Sequence, residues 1–222
     1  PSTMTEEKVV MLKAAGCMFL QVGIQSLDQE NRKNILDRHE SNEDIGNTID
    51  WCKKHDLPIS IDYIFFPWEA NEKVQVKAAR FFQEHPPSRL ATFYFSYLPG
   101  TPIVSWAIKN GYLKEEATED IRKGVNAYYH AGGEYGSQQR VKKFYNNFFI
   151  FFALMTIVPY RFAKVLFRVR AYRYARFFPK IPLLILKEYV FPFISSSFKI
   201  SPSIKAYRNY YLKNFVSFVQ GV

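Results

Sequence analysis

Polar residues alternate with apolar ones in two segments of the sequence, an arrangement that could bind a small ligand. The first segment contributes Gln21, Gly23 and Gln25, and the second contributes Ser60 and Asp62. Because successive residues of a strand point to opposite faces, each set shares one face of a predicted strand. A polar group in a buried strand needs a hydrogen-bonding partner, either a neighbouring residue or a ligand. The glycine would let such a ligand approach the backbone closely.

The residues at the ends of two predicted strands complete the candidate site. The first strand leads into Gln25 and Ser26, while the third ends near Tyr97 and is followed by a turn that contains Pro99. Parallel α/β barrels bind their ligands at the carboxyl ends of the strands. We therefore expect these residues to lie at the same edge of the sheet as Asp62.

Each of these residues also has a purely structural interpretation. Gln25 and Ser26 could cap the helix that follows them. Asp62 could pair with a buried lysine or arginine rather than with a ligand. Glu69 could be a carboxylate at the start of a helix, where the helix dipole favours negative charge. The four histidines lie in polar loops or at helix ends, and their spacing indicates no metal site.

The elements that must position these residues alternate regularly over roughly the first 110 residues. Hydrophobic periodicity and capping signals predict strands at 17–24, 59–66 and 91–98, and helices at 8–15, 28–36, 71–84 and 103–110, with a further helix that starts at Ser41. Strands that alternate with helices are typical of a parallel α/β sheet. Three strands are too few to close a barrel, so we expect an N-terminally truncated fold.

Three segments of the sequence resemble, in this order, segments of the radical S-adenosylmethionine (SAM) enzymes. They are LKAAGCMFLQVGIQSLD, DLPISIDYIFFPWEANEKV and FYFSYLPGTPIVSWAIKNGYL, and together they cover roughly residues 5–113. The resemblance implies the C-terminal half of a partial (β/α)6 TIM-like barrel, with SAM bound across the strand ends. The subgroup that fits best is similar to cobalamin-binding, anaerobic magnesium-protoporphyrin cyclases, which makes cobalamin a further candidate cofactor.

The resemblance also implies roles for individual residues. Gln25 and Ser26 would contact the ribose or the methionine part of SAM, although Gln25 stands where the family usually has glutamate. The segment from Tyr97 to Pro102 would line the adenine side of the pocket or the mouth of the substrate site. The SAM-binding residues expected on this basis are Gln21, Gly23, Gln25, Ser26, Asp62, Tyr97 and Pro99.

The family's [4Fe–4S] cluster is held by a CxxxCxxC motif, which this sequence lacks. Its two cysteines, Cys17 and Cys52, have no metal-ligand spacing, so the cluster ligands are expected upstream. The intact enzyme would use a 5′-deoxyadenosyl radical to methylate, cyclise or rearrange a lipophilic substrate, with flavodoxin or ferredoxin as electron donor. The alternative is a non-catalytic, membrane-associated binding module derived from a degenerate half-barrel.

Charge and composition divide the chain into three predicted parts: a barrel portion (1–113), a linker (114–140) and a helical, basic and aromatic extension (141–222). Residues 1–140 carry 16 basic and 19 acidic residues, whereas residues 141–222 carry 14 basic residues and only Glu188 as an acid. The extension also contains 22 aromatic residues. This asymmetry suggests that the two parts have different tasks.

The sequence leaves four interpretations of the extension. Its segment 144–198 could lie on an anionic membrane surface, with Ala163, Phe167, Tyr174 and Phe178 forming one uncharged arc of a basic helix. It could instead pack against the barrel and cover a lipophilic substrate. Nucleic-acid binding is disfavoured, because the uncharged stretch 144–160 has no role there. A membrane anchor is disfavoured by the breaks in the apolar runs. The expected location is cytoplasmic, or peripheral on the inner face of the membrane.

Overall fold

The computed structural model of the protein describes residues 1–123 and 138–177. Within them three parallel strands form one sheet in the order β1-β2-β3: β1 (Leu20–Gln25), β2 (Ile59–Phe65) and β3 (Arg89–Tyr94). The fold is therefore α/β with a parallel sheet, as the alternation of elements predicts.

All three strands differ from the predicted bounds, β2 by only one residue at its end. β1 begins at Leu20, whose N–H bonds the carbonyl of Pro58 at 2.9 Å, and not at residue 17. β3 ends at Tyr94 because its neighbour β2 ends at Phe65; the N–H of Phe95 makes the final bond to the carbonyl of Phe65 at 3.2 Å. Tyr97 therefore lies beyond the strand, in the segment that leads to the next helix.

The first four helices begin at the polar residues that the sequence indicates. They are α1 (Glu6–Ala14), α2 (Gln29–Asn34), α3 (Asn42–Lys54), α4 (Glu72–Glu84), α5 (Pro102–Lys109), α6 (Ala117–Arg122), α7 (Gln138–Met155) and α8 (Tyr160–Arg168). The side chains of Thr5, Asp28 and Asn71 accept backbone N–H groups at the starts of α1, α2 and α4. At α3, Ser41 and Asp44 form a reciprocal capping box.

The two faces of the sheet differ in polarity. One face carries Ile61, Tyr63 and Phe65 from β2, which are all about 1% exposed or less and pack in the main apolar core. The opposite face carries Gln21 and Asp62. Since an apolar face must be buried against another element, the helices pack on the first face and leave the polar face to form the candidate site.

The aromatic helix α7 belongs to the same core as the sheet. Phe148 and Phe152 are buried, and the ring of Phe152 meets that of Tyr63 at 5.3 Å. The hydroxyl of Tyr145, also buried, donates to the carbonyl of Phe66 at 2.6 Å. The described part of the extension therefore packs against the sheet, one of the arrangements that the sequence left open.

Two of the four residues of the arc proposed for a membrane surface, both on α8, are turned towards the protein. Ala163 is 1% exposed, and the ring of Phe167 contacts Phe151 at 5.4 Å and the guanidinium of Arg80 at 4.5 Å. Tyr174, in contrast, is 58% exposed, and Phe178 lies outside the described residues. The assignment of Ala163 and Phe167 to a lipid-facing arc was wrong, because pattern alone does not tell which apolar face meets the core.

None of the helices in the two described ranges is long and apolar enough to cross a membrane.

Candidate functional site

A polar pair joins the first two strands on the face that is turned away from the main core. Gly23 lies opposite Asp62 in the register of β1 and β2, and the amide nitrogen of Gln21 donates to Oδ2 of Asp62 at 2.7 Å. Burial raises the pKa of Asp62, against the lowering effect of the Gln21 hydrogen bond. Its other oxygen, Oδ1, is buried without a hydrogen-bond partner. An acceptor of this kind is suited to a ligand that brings a donor or a positive charge.

The end of β1 has an unusual backbone that brings Gln25 back over the strand. Gln25 has a φ of 66°, the register with β2 shifts between Gly23 and Gln25, and the N–H of Ser26 bonds the carbonyl of Ile24 at 2.8 Å. A positive φ in a residue other than glycine costs energy and occurs often at functional sites. The side-chain amide of Gln25 lies so close to Gly23 that a Cβ there would collide with it. A side chain at position 23 would therefore require the end of the Gln25 side chain to move.

Ser26 and Glu69 connect the ends of β1 and β2. The hydroxyl of Ser26 donates to Oε1 of Glu69 at 2.5 Å and accepts the N–H of Asp28 at 2.9 Å. The amide nitrogen of Asn31 donates to the same oxygen of Glu69, and Nε1 of Trp68 donates to Oδ1 of Asn31 at 2.7 Å. Ser26, Asn31 and Glu69 are all buried. A polar network therefore connects the segments that follow β1 and β2.

The carboxyl group of Glu69 is held in a poorly solvated position. It is 3% exposed, and burial raises its pKa from 4.5 to about 8, although the hydrogen bond from Ser26 opposes this. Its second oxygen, Oε2, is buried and has no hydrogen-bond partner. The group is therefore mostly protonated at neutral pH, which is uncommon for a glutamate and typical of functional sites.

A buried arginine beside this network bonds backbone rather than a carboxylate. Arg32 is 0% exposed, and burial lowers its pKa. Its guanidinium donates to the carbonyls of Ser26 and Glu40 at 2.5 and 2.9 Å, and to Oδ1 of Asn42 at 2.7 Å. Arg32 thus ties the segment after β1 to the start of α3 and holds Ser26 in place.

Aromatic rings form a continuous cluster beside the same edge of the sheet. The indole of half-buried Trp68 contacts the rings of Phe66 at 4.9 Å and Phe95 at 5.2 Å, and also those of Trp106 and Tyr112 at 4.8 and 5.8 Å. Such a surface can stack against a flat, electron-rich ring system.

The structure brings some of the predicted site residues together and separates others. Gln21 bonds Asp62, and Gln25 folds over Gly23. Ser26 bonds Glu69 instead. Tyr97 is 3% exposed, and its ring packs edge-on against that of Phe95 at 4.9 Å. It therefore belongs to the aromatic cluster beside the site. Pro99 is exposed in the turn before α5.

Sequence reasoning missed the contacts of Glu69 with Ser26 and Asn31, and that of Asn31 with Trp68. It treated Glu69 as a helix-start carboxylate, whereas the structure buries it in the short 3-10 turn that precedes α4. The one available signal is an acid directly after the apolar segment IFFPW. Asn31 is an ordinary polar residue of a short helix, and nothing in its neighbours marks it as a partner of position 69.

The described residues contain no metal site. Among them, no group of three histidine, cysteine, aspartate or glutamate side chains is placed to hold an ion. Cys17 and Cys52 are free thiols, and burial raises the pKa of Cys52 to about 11, which makes it a poor ligand. The residues present in these two ranges do not fit a [4Fe–4S] cluster.

A comparison with models of known protein families finds no match, and neither does a comparison with curated proteins.

Proposed function

We propose that the carboxyl edge of this sheet binds SAM and that the chain forms part of a radical SAM enzyme. One observation carries the proposal: unpartnered or strained polar groups lie within β2 and at the carboxyl ends of β1 and β2, which are neighbouring parallel strands. Asp62 has a free buried oxygen, Gln25 has a positive φ, and Glu69 is a buried acid with a free oxygen. In open and closed α/β sheets alike, ligands bind at this edge.

The chemistry of these groups suits SAM. SAM carries a positive sulfonium, an ammonium group, a ribose diol and an adenine ring, so it needs acceptors and a stacking surface. The carboxyl group of Asp62 and the amide of Gln25 would accept donors and favour the positive charge. The exposed part of the aromatic cluster around Trp68 would stack on adenine. Glu69 would position Ser26 through the hydrogen bond that it accepts.

The described residues do not provide the iron–sulfur part of the proposed activity. We infer no reaction step from them, and the resemblance alone implies cluster ligands outside these ranges. The proposed reaction is the one that the resemblance implies: radical methylation, cyclisation or rearrangement of a lipophilic substrate, with cobalamin as a further cofactor and a flavodoxin or ferredoxin as electron donor.

Replacing Gln25 by alanine is expected to weaken SAM binding about three- to tenfold, the usual effect of losing one neutral hydrogen bond. Isothermal titration calorimetry of the protein with SAM measures this. Gln83→Ala is the matched control, because Gln83 lies near the end of α4 rather than at the carboxyl ends of the strands. The control is expected to bind SAM like the unmodified protein.

Two results would contradict the proposal. The first is an unmodified protein that shows no heat of binding with SAM, which would favour the alternative of a non-catalytic module. The second is equal SAM affinity for Gln25→Ala and Gln83→Ala, which would exclude Gln25 as a contact. A circular dichroism melt of each variant shows that both are folded.

A further inference from the structure

Helix α8 exposes an apolar stripe that no described residue covers. Phe162, Val165 and Val169 are 54%, 56% and 53% exposed. At 3.6 residues per turn these positions lie close together on one side of the helix. The opposite side carries Ala163 and Phe167, which pack against the core. The exposed apolar residues are therefore not a by-product of a loosely attached helix, because its other face holds it in place.

A basic stripe lies next to the apolar stripe. It consists of Arg161, Lys164 and Arg168, which are all exposed and recur at three- and four-residue spacing. None of the ion pairs of the described residues involves them, whereas the neighbouring Arg173 pairs with Glu72 at 2.6 Å. The stretch 160–177 contains no acidic residue at all. Its positive charge is thus available to a partner.

We propose that the apolar and basic stripes of α8 dock the protein on an anionic membrane surface. A helix with a large apolar exposure beside a cationic row binds in the plane of the interface, with the apolar side chains at the acyl boundary and the cations among the headgroups. The charge complementarity selects a surface with a high density of negative charge. The proposal is independent of SAM binding, since it uses a different face of the molecule.

The cation–π contacts of α8 agree with this orientation. The guanidinium of Arg161 lies 5.1 Å from the ring centre of Phe162, and the ammonium of Lys164 lies 4.6 Å from that of Tyr160. Aromatic rings beside cations are favoured at the boundary between headgroups and acyl chains, where one end of the side chain is apolar and the other is wet. Tyr160 is itself 57% exposed.

Co-sedimentation with vesicles tests the proposal. The protein is expected to bind vesicles of mixed phosphatidylglycerol and phosphatidylcholine, and to bind phosphatidylcholine vesicles at least tenfold more weakly. Replacing the basic stripe by glutamine (Arg161→Gln, Lys164→Gln, Arg168→Gln) should weaken binding to the anionic vesicles by on the order of 100-fold. Replacing the apolar stripe by serine (Phe162→Ser, Val165→Ser, Val169→Ser) should reduce it at least as much.

Matched controls separate docking from general charge and hydrophobicity. Lys33→Gln, Lys53→Gln and Lys109→Gln remove three exposed cations elsewhere, and Val10→Ser with Met11→Ser removes two exposed apolar side chains of α1. These controls are expected to bind like the unmodified protein. The proposal is overturned if the protein does not bind anionic vesicles, a result that would favour a protein partner for α8. It is also overturned if the protein binds neutral vesicles equally well, or if stripe variants that are folded by circular dichroism bind anionic vesicles as tightly as the unmodified protein.

Discussion

Replacing Glu69 by glutamine is expected to stabilise the fold by an amount that grows between about pH 4.5 and pH 8, and to remove a large part of the pH dependence of its stability. The reason is the burial of this carboxyl group, which raises its pKa from 4.5 to about 8 in the folded protein. Glutamine keeps an oxygen that accepts from Ser26 and Asn31, and it replaces the protonated oxygen by a neutral amide. The substitution thus removes the charge and preserves the network.

The sign follows from proton binding in the two states. Below about pH 4.5 the group is protonated in both the folded and the unfolded chain, so it has no effect on pH dependence. Between about pH 4.5 and pH 8 only the unfolded chain releases the proton, so the free energy of unfolding falls as the pH rises. Because a tenfold change in proton affinity corresponds to about 1.4 kcal/mol, the total loss is on the order of 5 kcal/mol.

Urea unfolding at several pH values between about 5 and 9 measures this effect, with circular dichroism as the signal. The variant is expected to lose much less stability across this range than the unmodified protein. Glu84→Gln serves as the control, since Glu84 is an exposed acid at the end of α4. If the unmodified protein and Glu69→Gln have parallel pH profiles, Glu69 is ionised in the fold and its raised pKa is refuted.

The loss of stability that the buried carboxyl group of Glu69 causes bears on the proposed function. A glutamine at this position would keep the hydrogen bond from Ser26 and avoid the loss of stability that the buried acid causes as the pH rises from about 4.5 to 8. A destabilising group is expected to be kept where activity requires it, because functional sites depart from the residue choices that stabilise the rest of the fold. Glu69→Gln therefore separates stability from binding: it should raise the free energy of unfolding at neutral and alkaline pH while altering the SAM affinity.

Local signals allowed much of the fold to be predicted from the sequence. The helix starts at Thr5, at Asp28 and at the Ser41–Asp44 capping box depend on residues at most three positions apart, so their chemistry is visible in the sequence. The parallel order of the strands follows from alternating helical and strand periodicity. Even the polar face of β1 and β2 could be recognised from the spacing of Gln21 and Asp62.

The parts that could not be predicted depend on contacts between distant residues. Glu69 meets Ser26, which is 43 positions away, and its burial comes from elements that the segment itself does not specify. The left-handed backbone of Gln25 occurs where the register shifts against β2. Glutamine is not a residue type that favours a positive φ, so the sequence does not indicate this conformation. On α8, both the core-facing and the solvent-facing sides are apolar, so periodicity did not identify the side that Phe151 would cover.

Replacing Phe152 by alanine is expected to destabilise the whole sheet by about 3–5 kcal/mol, the usual cost of removing a buried aromatic ring. Phe152 is 0% exposed, and its ring meets those of Tyr63, Phe65 and Phe82 at 5.3, 5.5 and 5.8 Å. These partners lie on β2 and α4, far from Phe152 in the sequence. The cavity would therefore open between α7 and the sheet rather than within α7 alone.

Phe162→Ala is the matched control, because it makes the same chemical change on the 54% exposed side of α8. Its effect on the free energy of unfolding is expected to stay within about 0.5 kcal/mol, as is usual for surface positions. Unfolding in urea, followed by far-UV circular dichroism and by tryptophan fluorescence, measures both variants. The three tryptophans, Trp51, Trp68 and Trp106, all lie outside the extension, so their fluorescence reports on the part of the chain that holds the sheet.

If Phe152→Ala lowers the midpoints of both signals together, α7 and the sheet unfold as one cooperative unit. In that case the aromatic residues of α7 serve to close the apolar side of the sheet, and they are not available to a membrane or to a lipophilic substrate. An unchanged midpoint of the tryptophan fluorescence, together with a lower midpoint of the circular dichroism signal, would contradict this. It would mean that α7 detaches from the sheet independently, and that the rings of Phe148 and Phe152 can be exposed without unfolding the candidate site.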